Sequence, residues 1–359
     1  MRPALVVFLL ACVACPAMAA TIPVRVVVVT TFELGQDHGD EPGEFQAWVE
    51  RLPLSRQIPA PGTYHGVMRY NPQLQVLGIV TGEGPEHAAS ALTALLTDPR
   101  FDLRQAYFLL AGISGIDPNF GSIGSAVWAP HVINGGLAHE VDAREVPADW
   151  PDGFTPIQGS TPNMRPVPAL HSTSGDMAYT IDPGTLAWAF SLTRNVALAD
   201  GPELQKARAR YVGFPRAQAP PQVAEGDTLA SATFWTGPRM NQWAERWVKY
   251  WTQDAGSMAT TAEEDLGFMQ ALSLQAQAGR VDMRRILVLR TASNYDMPPS
   301  GESAAALLAA ESQEQGYSGY SASLEAAYLV GSVVVKEISK NWPKYQAGVP
   351  KQSAPSAHN

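Results

Sequence analysis

Three stretches of this chain combine glycines with carboxylate or hydroxyl side chains. Glycine lets a backbone turn sharply and come close to a ligand, and a neighbouring acid or hydroxyl can then bind or catalyse. The first stretch, Phe32 to Glu44, is acidic and glycine-bearing. It is suited to ligating a cation or holding an acid–base carboxylate, although most of its acids read equally well as a solvated loop. Glu33 is singled out because it stands nearest the end of the preceding apolar run. The second is Thr81-Gly82-Glu83-Gly84-Pro85-Glu86-His87. Here Gly82 and Gly84 open a turn and Pro85 starts a helix, whose free N–H groups favour an anion or a polar sugar. Glu83 and Glu86 argue against a strongly charged phosphate at that point. The third is Ala111-Gly112-Ile113-Ser114-Gly115-Ile116-Asp117-Pro118, where Gly112 and Ser114 are candidate ligand contacts.

The elements that must position these residues follow from periodicity. Val24 to Thr31 is a nearly continuous β-branched run, as in a strand covered on both faces. Gln75 to Thr81, Ala106 to Ala111, Ala126 to Ile133 and Arg285 to Thr291 read the same way. Helical spacing marks Glu86 to Leu96, Thr185 to Leu198, Met240 to Trp251, Glu263 to Ala278 and Leu324 to Ile338. Strands alternating with helices predict an α/β layered fold with a mostly parallel central sheet. In such sheets ligands bind beyond the carboxyl ends of the strands, which is where the three stretches lie. The apolar run Ala326 to Val335 is too short to span a membrane and reads as a core helix. Segments 147–168 and 213–226, rich in chain breakers, read as loop insertions.

The first residues predict a compartment. Arg2, the apolar run Ala4 to Val13 and Ala17-Met18-Ala19 have the layout of a secretory signal peptide over 1–19. Export, to a periplasm in particular, is therefore expected, with a lipid anchor through Cys12 as the lesser reading. The chain's 2 cysteines, Cys12 and Cys15, both fall in this leader, so neither a disulfide nor thiol chemistry is expected after cleavage. Without Arg2 the chain has 24 of its 25 basic side chains against 34 acidic ones, a formal −10. That balance disfavours nucleic-acid polymers and anionic membranes. Residues 20–345 are expected to form one α/β unit, and 346–359 a tail.

The pattern of strand, Ala111-Gly112-Ile113-Ser114-Gly115-Ile116-Asp117-Pro118, Gly124-Ser125 and a further strand resembles the nucleoside phosphorylase superfamily. The resemblance is strongest to its purine nucleoside permease (NUP) branch. Phe45-Gln46-Ala47-Trp48, Trp128-Ala129-Pro130, Leu192-Thr193 and Leu289-Arg290-Thr291-Ala292-Ser293-Asn294-Tyr295-Asp296 also fit that branch, and the similarity extends over nearly the whole chain after the leader. It implies a nucleoside-phosphorylase-like layered fold and a purine nucleoside as ligand. It also implies cleavage of the purine–ribose bond with no metal or organic cofactor, inorganic phosphate being a candidate co-substrate.

Residue by residue, the resemblance gives Asn294, beside Ser293, the leaving purine, with Asp296 as the alternative acid. Glu264 matches the position that grips the ribose hydroxyls, and Glu263 replaces the methionine usual before it. Phe234 is the candidate for stacking on the base, with Trp235 second. Glu33 resembles the glutamate that activates water in hydrolytic relatives. No arginine lies in the glycine loops to hold phosphate, which leaves Arg69, Arg239 and Arg290 as the candidates to reach in from elsewhere. Phosphorolysis, hydrolysis and binding without turnover therefore stay open. A binding protein that hands nucleosides to a transporter would keep Phe234 and Glu264 and need no Glu33. A metal-dependent hydrolase built on Asp37-His38 and Asp40-Glu41 is weaker, because those residues match no tight ligand spacing. A homo-oligomer is expected by analogy.

Overall fold

A computed structural model describes residues 21–157, 159, 161–162, 177–312 and 316–350. The leader, both cysteines and 351–359 lie outside the described residues. Fourteen strands are described: β1 (Val26–Thr30), β2 (Arg56–Pro59), β3 (Val67–Asn71), β4 (Val76–Val80), β5 (Tyr107–Ile116), β6 (Ala126–Trp128), β7 (His131–Asn134), β8 (Ala138–Glu140), β9 (Phe154–Pro156), β10 (Ala178–Thr180), β11 (Val223–Glu225), β12 (Asp227–Ala230), β13 (Met258–Ala262) and β14 (Ile286–Tyr295). Around them pack α1 (Gln46–Arg51), α2 (Pro85–Thr97), α3 (Pro183–Thr193), α4 (Pro202–Ala209), α5 (Pro215–Gln218), α6 (Pro238–Trp251), α7 (Asp265–Gln277), α8 (Ala304–Glu311), α9 (Tyr320–Lys340) and α10 (Trp342–Gln346). α2 to α6 each begin with proline, whose missing N–H costs nothing at a helix start. The expected mixed, mostly parallel α/β layering is what forms.

The sheet runs β10-β7-β12-β13-β5-β1-β4-β3-β2, with β14, β6 and β11 branching from β5. The branch is possible because β5 has ten residues and changes partner along its length. One edge pairs with β14 from Phe108 to Ile116, with a register shift between Ala292 and Asn294. The other edge pairs in parallel with β1 as far as Leu110, and antiparallel with β13 only from Gly115 onward. Between those points the sheet is split, and the edge of β5 at Gly112 to Ser114 faces the opening. β5 thus continues to Ile116, past the end at Ala111 that its apolar run predicts. The single run expected over Ala126 to Ile133 is two strands, broken at Ala129-Pro130 because proline cannot donate to a ladder.

The valines of β1 are buried on both faces, as are Leu287 to Leu289 of β14. α9 covers this layer, and Gly331 lets it approach Trp48, which a Cβ would meet at 2.8 Å. α2 and α7 dock still more tightly. A Cβ on Gly267 would fall 2.0 Å from the Pro85 carbonyl oxygen, so glycine is needed there. That contact brings the N-terminus of α2 against the N-terminus of α7. Segment 213–226 contains α5 and β11, and β11 pairs with β6. In the other stretch β9 pairs with β8, and Phe154 packs 4.5 Å from Trp243.

Candidate functional site

A cavity of about 500 Å³ opens at the split in the sheet. The carboxyl ends of β1, β13 and β14, the exposed edge of β5 and the end of α8 wall it. Its lining includes Thr31, Glu44, Ile113, Ser114, Phe234, Glu263, Glu264, Ser293, Asn294, Glu311 and Tyr317. Of the residues singled out in the sequence, Ser114, Phe234, Glu264, Ser293 and Asn294 meet in this one cavity.

One end is built on a buried cluster of opposite charges. Arg290, at 1% exposure, reaches from β14 to Asp265 at 2.6 Å, Glu264 at 3.1 Å and the Ile113 carbonyl at 3.0 Å. Glu264 takes a second hydrogen bond from the Gly84 N–H at 3.2 Å. Gly84 and Gly82 have φ of 86° and 93°, backbone that favours glycine. Gly84 therefore acts through Glu264. Gly82 lines an adjoining cavity of about 220 Å³ with Tyr64, His65 and His87. Gly112 stands behind the wall: a Cβ there would lie 2.6 Å from both Arg290 Nη1 and Glu44 Oε1. Its role is to leave room for that pair.

Glu44 is the residue the sequence reading passed over. Its Oε2 accepts from the Thr31 N–H at 2.7 Å and the Thr31 hydroxyl at 2.9 Å, and its Oε1 accepts from the Ile113 N–H at 2.6 Å. The carboxylate thus replaces a missing strand at the split, serving a β5 donor and the end of β1 together. Burial pushes its pKa up to about 7; the Glu264 charge adds to that, and Arg290 and the two backbone N–H groups oppose it. For Arg290 burial works against the charge, but Asp265, Glu264 and Glu44 more than reverse it.

Glu33 points elsewhere. Its carboxylate accepts backbone N–H groups from Leu34, Gly43, Phe45 and Gln46. It organises the loop and borders the smaller cavity rather than the main one, because four convergent donors compete for its lone pairs. No local sequence signal marks Glu44 among the acids of this loop; it is set apart by the Ile113 amide, far away in the chain.

The other end is less tightly wired. Ser293 Oγ lies 2.9 Å from Asn294 Oδ1 and 3.1 Å from the Ser114 carbonyl. Phe234, 42% exposed, stacks at 6.4 Å on Tyr317. Glu311, at the last position of α8, lines the same wall, and burial raises its pKa to about 7 against a lowering contact from the Asn294 amide. Glu263 is likewise raised to about 7 by burial, then by the Glu264 and Glu83 charges.

Two candidates do not face the cavity. Trp235 is buried in a separate core cluster, edge-on to Trp243 at 6.0 Å. Asp296 is not among the lining residues, and both its oxygens lie 3.2 Å from Asn241 Nδ2. Burial and the Asp117 charge hold its pKa well above the carboxylate range. β14 ends at Tyr295, so Asp296 lies one residue beyond the strand, where Asn241 takes its carboxylate. Of the arginines, Arg69 is bound to Asp37 at 2.5 Å, Arg239 is exposed on α6, and only Arg290 reaches the site. Among the described residues, no group of three His, Cys, Asp or Glu is arranged to hold a metal.

A model of the family described as purine nucleoside permease (NUP) matches residues 23–350. A protein of Candida albicans named purine nucleoside permease is 28% identical over 334 residues, covering 90% of this chain and 77% of that one. Among solved structures, a 5'-methylthioadenosine/S-adenosylhomocysteine nucleosidase from S. pneumoniae superposes with a TM-score of 0.52 at 11% identity, covering 88% of this chain and 98% of that one. At that identity the likeness concerns the fold. No helix among the described residues is long and apolar enough to cross a membrane. The chain has a nucleoside-phosphorylase-like fold and belongs to the purine nucleoside permease family.

Proposed function

We propose that this protein binds a purine nucleoside in the 500 Å³ cavity and hydrolyses its N-glycosidic bond. The purine stacks on Phe234, beside Asn294. The ribose hydroxyls donate to Glu264, whose remaining lone pairs are free to accept after Arg290 and Gly84 are served. Glu44 takes a proton from a water that attacks the anomeric carbon as the bond to the purine breaks. A carboxyl near neutrality suits that task, because a general base works best with a pKa close to the operating pH.

The observation that carries this reading is the charge of the walls. Glu41, Glu44, Glu83, Glu263, Glu264 and Glu311 line the cavity, and no Lys or Arg is among the described residues that line it. Arg290 is already engaged by Asp265, Glu264 and Ile113. Phosphate would meet repulsion with no free cation among the described residues to hold it, so water is the better nucleophile. The same reading includes export, which the leader-like sequence of Ala4 to Val13 supports.

A second reading is favoured by the name of the Candida albicans relative: binding without turnover, in the service of nucleoside transport. One assay separates the two. Purified protein is incubated with inosine, adenosine and guanosine, with and without phosphate, and free base is measured by chromatography. Base released equally without phosphate is the expected result, and Glu44→Gln should lower its rate by roughly 10²–10⁴-fold. Measurable binding with no base under any condition would establish the transport reading instead.

A further inference from the structure

Asn294 cannot give up a proton, and Asp296 is bound to Asn241 and absent from the cavity lining, so the residues matched to the leaving group include no acid that reaches it. A departing purine carries the electron pair of the broken bond and leaves far more readily when a ring nitrogen is protonated. Glu311 stands on the wall that needs such a donor. It lines the cavity together with Asn294, Phe234 and Tyr317 and is 8% exposed. Its Oε2 has no hydrogen-bond partner among the described residues. A buried carboxyl oxygen without a partner is costly unless it is protonated or served by a ligand. The position favours the protonated form: Glu311 ends α8, where the negative end of the helix dipole opposes ionisation. The titratable groups that sense its charge are Tyr211, Asp296 and Tyr317, none of them a cation. Gly316 packs against the end of α8, where a Cβ would lie 2.6 Å from the Glu311 carbonyl oxygen, and so closes this corner.

We infer that Glu311 is the general acid that protonates the leaving purine, with Asn294 positioning its carboxyl. This rests on the hydrolytic reading above. In the balanced step, the bond between the anomeric carbon and the purine nitrogen breaks and its electron pair goes to the purine. The Glu311 proton passes to a purine ring nitrogen, while water bonds to the anomeric carbon and gives its proton to Glu44. Free purine and ribose result, and the proton returns from Glu44 to Glu311 through solvent. Glu311 and Glu44 thus need opposite protonation states near neutrality.

The test pairs two substrates. Inosine requires protonation of its base, whereas p-nitrophenyl β-ribofuranoside releases a leaving group that does not. Glu311→Gln keeps the shape and removes the proton. It should lower kcat on inosine by roughly 10²–10³-fold, at least 100-fold more than on the p-nitrophenyl riboside, and should abolish the alkaline limb of the inosine pH profile. Equal losses on both substrates, or an unchanged alkaline limb, would overturn the assignment while leaving hydrolysis standing. Wild-type protein that cleaves neither substrate would remove the hydrolytic reading itself, and this inference with it.

Discussion

The two ends of the cavity are built on opposite principles. At the Arg290 end the buried carboxylates have partners: Glu264 and Asp265 bind the guanidinium, Glu264 also takes the Gly84 N–H, and Glu44 takes the N–H groups of Thr31 and Ile113. At the Glu311 end a carboxyl oxygen lacks a partner and an aromatic ring stands 42% exposed. The first end is finished before any ligand arrives, and the second is completed by one. Preorganisation is most valuable where a nucleophile must be aimed, because fixed charges then cost no reorganisation during the reaction. A flat base needs only a face to stack on and a few polar contacts.

The largest effect that tests this contrast is on folding. Arg290→Met leaves three buried carboxylates without their counter-charge, and should destabilise the protein by roughly 3–5 kcal/mol in chemical denaturation. A loss under 1 kcal/mol would mean that the Arg290 end is not the prewired one. Next is Gly112→Ala, whose Cβ would press on both Arg290 and Glu44. It should cost about 1–3 kcal/mol and lower turnover. Glu33→Gln should cost a similar 1–3 kcal/mol by replacing an acceptor with a donor among four N–H groups, yet leave the pH profile of turnover in place. A shifted profile would return Glu33 to the chemistry. The smallest effect is expected at the open end. Phe234→Ala should weaken nucleoside binding by about 0.5–1.5 kcal/mol and change stability by less than about 0.5 kcal/mol.

Acidity sharpens the comparison in a different way. Glu44, Glu263 and Glu311 all have pKa values raised from 4.5 to about 7. A carboxyl raised in the folded state contributes stability that is fully present below its unfolded pKa and is lost as pH climbs through the folded value. The salt-bridged acids with lowered values, such as Asp98 and Asp102, are already ionised above pH 5 and add no slope there. The melting temperature should therefore fall between pH 5 and pH 8. Glu44→Gln should flatten that fall, and a wild-type melting temperature that rises instead would contradict the assignment of these three acids.

Much of the scaffold was legible because buried strands announce themselves. The valines of β1 and the run Ile286 to Leu289 carry their own burial in their composition. β2, β3, β12 and β13 did not, being short or polar: Met258 to Ala262 contains two threonines and two alanines, and its strand character comes from pairing with β12 and β5. The site was half legible. Glu264, Asn294, Ser293 and Phe234 follow from the family resemblance, which carries each of them by its motif. Glu44 and Glu311 did not, because no local pattern distinguishes a catalytic acid from a solvated one. What sets Glu44 apart is an unmatched β5 amide 69 residues away in the chain, and Glu311 owes its environment to packing against Asn294. Asp296 failed for the converse reason, because adjacency in sequence said nothing about Asn241, the partner that holds it away from the cavity lining.

The interrupted ladder on β5 gives the molecule a built-in reporter. The Ile113 amide is held by a side chain that also belongs to the reaction, rather than by a neighbouring strand. Its rate of exchange with deuterated solvent should follow the state of Glu44, faster when that acid is neutral and slower when an occupant seals the opening. Occupancy of the cavity could then be timed at a single backbone position, without a chromophore and without turnover.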